Sequence, residues 1–180
     1  IIHLFECYNE YGNSHENDPI IVGSCRNEND IDEFSYGLRN NGNKIIPNGK
    51  IQKGNMLNGN LVLISNAVYA KLGILSNSYT HAMGDYDYGL RALEKGIDLI
   101  TTKKYIATCK PNVGLSQWCD PMVNFSNRWR ALHTPLGLNI KEYKVFRKRF
   151  WPNNYRISIL KVYLRCLVPN FYNIIRDDAK

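Results

Sequence analysis

The chain has no run of eighteen apolar residues, which excludes a segment crossing a bilayer as a helix. Its five cysteines, Cys7, Cys25, Cys109, Cys119 and Cys166, are odd in number, and no two stand at Cys-x-x-Cys spacing. That opposes both a zinc knuckle and a disulfide scaffold and fits reduced thiols in a cytosolic protein. No internal repeat is present. The aromatic residues do not follow an RNA-stacking pattern and no helix-turn-helix signature is visible, so nucleic acid ranks last among the partners considered. The opening Ile1-Ile-His-Leu-Phe5 has no methionine and no signal-peptide charge pattern, and it is already in an apolar helical rhythm. The expectation is a piece of a longer protein.

What is present is enough for one core: 180 residues with 44% hydrophobic content. The formal charge of +7 is concentrated late, in Arg128 and Arg130 and then in eight lysines and arginines between Lys141 and Arg165. Together with a pI near 9.1, this suggests an anionic partner: a nucleotide diphosphate, a lipid-diphosphate acceptor or membrane surface, or nucleic acid. The competing account is a solvated basic face.

Along the chain, residues 1–12 read as a helix end and Gly12–Pro19 as a polar loop, followed by a short buried strand from Ile20 of interior or edge parallel type. Phe34-Ser-Tyr-Gly37 reads as a second short strand, and Asn40–Lys50 as a glycine- and asparagine-rich excursion suited to a mobile loop. Asn58-Gly59-Asn60 is a turn at the head of an apolar strand, where glycine permits close backbone approach to a ligand, unless it is an ordinary tight turn. A short helix ending at Gly73 follows.

Tyr88, Leu90, Leu93 and Ile97 recur at three- and four-residue spacing, with Arg91, Glu94 and Lys95 on the wet side, so a helix is predicted from about Asp85 to Gly96. Asp85 and Asp87 sit in its first turn. There they either cap backbone N–H groups and complement the helix dipole, or serve as carboxylates positioned at a helix mouth. Ile97–Thr101 reads as the next strand. Gln117–Leu132 has helical character, with Trp118, Met122, Phe125, Trp129 and Leu132 along one side, a stripe more often core than site. From Asn139 a basic helical arm runs to Pro152 and resumes from Tyr155 to Pro169. Its face of Ile157, Leu160, Leu164 and Val168 either packs on the domain or lies on an anionic bilayer.

The order strand, short helix, acid-bearing loop, helix, strand, with Gly84-Asp85-Tyr86-Asp87-Tyr88-Gly89-Leu90-Arg91 opening the second helix, resembles the second half of a family 2 glycosyltransferase of the GT-A fold, rhamnosyltransferase-like. The likeness runs from about Ile20 to about Trp129. It implies an α/β fold: a partial GT-A (nucleotide-diphospho-sugar transferase) sandwich, a mixed sheet flanked by helices, with C-terminal helices added. Residues 1–138 would form the C-terminal part of that domain, and 139–180 a basic helical extension. In the family, Glu-Asp-x-Asp-x-x-x-Arg opens this helix, so Asp85 matches the catalytic base, and Gly84 stands where many members carry Glu.

The resemblance further implies that Asn58, Gly59 and Asn60 face donor and acceptor, and that Gly84, Asp87 and Arg91 belong to the substrate site. Phe125-Ser-Asn-Arg128-Trp129 keeps the last two members of the family's Gln-x-x-Arg-Trp, so that Arg128 would grip a diphosphate oxygen and Trp129 offer a face to an acceptor sugar. A divalent ion, Mg²⁺ or Mn²⁺, is implied for the full-length enzyme, with most of its ligands outside this chain. Cys109 stands where a late metal-binding histidine is expected, and a neutral thiol suits a hard ion poorly.

The function so implied is inverting transfer of a sugar from a nucleotide-diphosphate donor to a hydroxyl of a glycan or lipid-linked acceptor. The setting would be bacterial surface polysaccharide or cell-wall synthesis, in the cytoplasm or at the inner membrane face. The 180 residues alone are expected to be inactive. The alternative is a non-catalytic remnant of the fold that binds a nucleotide sugar or a glycan.

Overall fold

A computed structural model describes residues 1–13, 17–112 and 114–170. The centre of the expected 12–19 loop and the last ten residues of the expected 139–180 extension lie outside them. By contact, the chain gathers into two units, one of residues 1–76 with 85–112 and one of 77–84 with 113–180. The sequence suggests a boundary at 138/139, but contacts group the helix Phe125–Leu132 with the helices that follow it.

The first unit is α/β, with a mixed sheet flanked by helices. Strand β1 (Ile20–Arg26) runs parallel to β7 (Leu99–Thr108), and β5 (Lys53–Gly54) pairs antiparallel with the far side of β7. The other edge of β1 is shared by two antiparallel strands, β6 (Val62–Leu63) against Ile21 and Val22 and β2 (Phe34–Tyr36) against Cys25 and Arg26.

Ile20, Ile21 and Val22 are all buried because both faces of β1 are covered. This is why the strand reads as an unbroken apolar run and not as an alternation. Ile20 and Val22 join a cluster with Val68 and Leu72 of α2 (Asn66–Leu72) and with Tyr88 and Ala92 of α3 (Gly84–Glu94). Ile21 joins Ile100 and the Leu4, Cys7, Tyr11 stripe of α1 (Ile2–Gly12) on the opposite face. Helix α2 starts at Ser65, whose hydroxyl accepts from the Val68 N–H at 3.2 Å and donates to Asp18 at 2.6 Å.

The first half of the expected Asn40–Lys50 excursion is a hairpin. Strands β3 (Arg39–Asn40) and β4 (Asn43–Lys44) form a hairpin whose central residues, Asn41 and Gly42, both have positive φ (50° and 86°). That is the demand of a type I′ turn, and it explains the Asn-Gly pair. The strand expected over Ile97–Thr101 begins at Leu99 and continues to Thr108, so Tyr105–Thr108 is sheet and Cys109 is the first residue beyond it.

The second unit is helical: a single 3₁₀ turn (Gln117–Cys119), α4 (Phe125–Leu132), α5 (Ile140–Phe150) and α6 (Tyr155–Leu167). Its core is Trp118, Cys119, Ala131, Leu132, Ile140, Val162 and Cys166. The continuous helix expected over Gln117–Leu132 is interrupted, because Pro121 holds Asp120 extended (ψ 120°) and Asn124 starts α4 afresh by accepting from the Asn127 N–H at 3.0 Å. The expected stripe breaks with it: Trp118 and Leu132 are buried, whereas Met122, Phe125 and Trp129 are exposed.

Candidate functional site

At the carboxyl ends of the parallel pair β1 and β7, three pieces of the first unit converge. The turn Asn58–Asn60 precedes β6 and, running antiparallel to β1, reaches the far end of that strand. Asn58 Oδ1 accepts from the Asn60 N–H at 3.4 Å and folds the turn. Gly59 N–H points at α3 and donates to Asp85 Oδ2 at 3.0 Å. Asn60 Nδ2 donates to Cys109 Sγ at 3.5 Å, at the end of β7. The carboxyl edge of parallel strands is where open α/β sheets commonly place ligands.

Asp85 is half-buried in the first turn of α3, and its Oδ1 accepts from the Tyr86 N–H at 2.8 Å. Each carboxylate oxygen therefore has one backbone donor, which fixes its orientation and leaves lone pairs for a further proton donor. A Cβ on Gly59 would lie 3.3 Å from Asp85 Cβ, so any side chain there would press on the helix by a few tenths of an ångström. A Cβ on Gly84, where the family motif often has Glu, would meet nothing within 4 Å. Beside Asp85, the Tyr86 hydroxyl is held above its ordinary pKa of 10.0, first by burial and then by the neighbouring carboxylate, and it stays protonated at neutral pH.

Asp87 differs in kind. It is 0% exposed and paired with Arg91 Nε at 2.7 Å, one helical turn on. The same guanidinium donates to the Leu72 carbonyl at 2.9 Å and the Ile74 carbonyl at 3.1 Å, and it stacks on Tyr88 at 4.9 Å. The pair thus fastens α3 to the C-terminal end of α2, within one turn of Asp85.

Arg128 and Trp129 belong to α4 in the helical unit. Arg128 is buried, and its guanidinium donates to the carbonyls of Cys166 (2.8 Å), Leu167 (3.4 Å) and Val123. In this arrangement it closes the end of α6 against the loop before α4. Trp129 is exposed, in ring contact with His133, Phe125 and Tyr163. His81 is exposed in the segment before α3. Among the described residues, no three histidine, cysteine, aspartate or glutamate side chains gather closely enough to hold a metal ion.

Tyr86 and the Asn60 to Cys109 contact are parts of this neighbourhood that the sequence did not single out. Tyr86 lies inside the acid motif and was detectable by position; the contact across 49 residues was not. No helix among the described residues is long and apolar enough to cross a membrane. Compared with protein-family profiles, curated proteins and solved structures, the chain matches none.

Proposed function

We propose that this chain is the acceptor-side part of an inverting glycosyltransferase of the family 2, GT-A type, transferring a hexosyl or rhamnosyl group from a nucleotide-diphosphate donor to a glycan or lipid-linked hydroxyl. The observation carrying this reading is Asp85, a half-buried carboxylate oriented by the Gly59 N–H at the carboxyl edge of a parallel strand pair. Asp85 accepts the proton of the acceptor hydroxyl while that oxygen bonds to the anomeric carbon and the nucleoside diphosphate leaves from the opposite side. The Asn58–Asn60 turn borders the space in which the sugar is exchanged. Asp87 and Arg91 act as positioning residues, keeping α3 in register with α2.

The divalent ion implied by the family resemblance has no ligand set among the described residues, so no step here runs through one. The donor diphosphate is assigned to residues outside those described. Arg128 donates to the carbonyls of Val123, Cys166 and Leu167, so neither it nor Trp129 is given a part in the step. Synthesis of surface polysaccharide on the cytoplasmic side of a bacterial membrane would be the setting.

The test is Asp85→Asn in the intact protein: kcat falls at least about a hundredfold, as for loss of a general base, while donor affinity measured by calorimetry is unchanged. Near-normal turnover removes Asp85 from the mechanism. A second reading, a non-catalytic module binding a nucleotide sugar or glycan, draws on Gly84 in place of Glu and on Cys109 in hydrogen-bond contact with Asn60. Saturable binding of a nucleotide sugar or glycan to the intact protein, with no transfer to any acceptor offered, would favour it.

A further inference from the structure

Helix α6 carries two apolar stripes. Its packed side is Val162 and Cys166, with Ile159 and Tyr163 beside them. Ile157, Leu160, Leu164 and Val168, the residues whose spacing also suits a core stripe, are 56%, 58%, 43% and 48% exposed. On a helix of 3.6 residues per turn Ile157, Leu160 and Leu164 fall within an arc of about 60°, with Val168 at the C-cap just past them, Arg156 bordering one side and Lys161 the other. Both cations are exposed. An outward apolar stripe edged by long basic side chains is unsuited to water and suited to an interface where the stripe is buried and the cations reach back to anionic headgroups.

We propose that this face of α6 docks on an anionic membrane surface. Charge selects the bilayer over a second copy of the chain. Helices α5 and α6 carry eight lysines and arginines and one glutamate, and that Glu142 is engaged by the Thr80 N–H and hydroxyl at 3.1 and 2.8 Å. Two copies meeting through this face would oppose like charges, which is unfavourable. An anionic leaflet accepts both the stripe and its basic border. The proposal does not depend on the transferase reading, since it concerns where the helical unit rests and not what the chain catalyses.

Flotation of the full chain with vesicles of phosphatidylcholine alone, or with phosphatidylglycerol added, tests it. Binding to the anionic vesicles is expected to be at least tenfold tighter than to neutral ones and to weaken as salt rises. Arg156→Gln and Lys161→Gln each lower it about fivefold. Leu160→Gln with Leu164→Gln lowers it at least about tenfold by removing buried apolar surface, and the thermal midpoint is unchanged because neither leucine is in the core. If the leucine pair perturbs folding, the two charge variants, which lie wholly at the surface, decide the matter. Equal binding to neutral and anionic vesicles, no binding to either, or a dimer in light scattering that the leucine pair dissolves would each overturn the proposal.

Discussion

Asp85 owes part of its orientation to an N–H donated from 26 residues earlier in the chain, across a contact in which a Cβ on Gly59 would lie only 3.3 Å from Asp85 Cβ. Gly59→Val places a branched carbon where the first Cβ is already 3.3 Å from Asp85 Cβ. Position 59 is exposed, so the expected stability change is within about 1 kcal/mol. Under the transferase role proposed for Asp85, turnover of the intact protein is expected to fall at least about tenfold, because misplacing a reacting group by an ångström is costly. Paired measurements of thermal midpoint and kcat check this. A variant that loses stability and keeps kcat would show that the Gly59 contact supports the fold and not the chemistry.

Among the elements, the junction of α2 and α3 is the most tightly specified. One guanidinium joins the buried Asp87, two carbonyls at the end of α2 and the face of Tyr88, and the Tyr88 hydroxyl donates to the Gly73 carbonyl at 3.2 Å. Arg91→Met leaves a carboxylate with 0% exposure facing an apolar side chain, a loss of about 3–5 kcal/mol, as for other buried pairs broken on one side. Urea unfolding measures it, with the midpoint lowered and the slope unchanged. A loss under about 1 kcal/mol would mean that the pair is surface-like despite its burial. Helix α4 makes the complementary point: a buried arginine there spends its donors on backbone carbonyls, so burial of a charge marks structure as readily as it marks a site.

At the scale of the molecule, the buried tyrosines and thiols make stability fall at alkaline pH. Tyr11, Tyr86, Tyr88 and Tyr105 are all held above 10.0, burial being the first cause in each. Cys25, Cys119 and Cys166 are held above 9.0 for the same first reason. Each is an acid whose proton binds more tightly in the folded chain than in the unfolded one. Its contribution is therefore complete below the unfolded value and is lost as pH rises through the folded value. The expected outcome is a urea midpoint that is flat through neutral pH, declines from about pH 9 as unfolded thiols ionise, and declines more steeply above about pH 10 as unfolded tyrosines follow. A midpoint unchanged between pH 8 and pH 11 would contradict this burial pattern.

Local spacing and chemistry were enough to determine the helix opening at the acid motif, the buried strand at Ile20, the short helix ending at Gly73 and the α/β class, because periodicity and breaker residues act within a few positions. The sequence also placed Asp85 in the first turn and supplied the basic arm. It could not choose between the two apolar stripes of α6, since both have helical spacing and only the shape of Trp118, Leu132 and Ile140 decides which one is covered. Nor could it foresee that Pro121 would split the aromatic stripe, leaving Trp129 exposed and Arg128 occupied by carbonyls. The contacts of Gly59 with Asp85 and of Asn60 with Cys109 join residues 26 and 49 positions apart. Such pairs follow from how β6, α3 and β7 stack, and that is settled by burying both faces of β1, which no local pattern encodes.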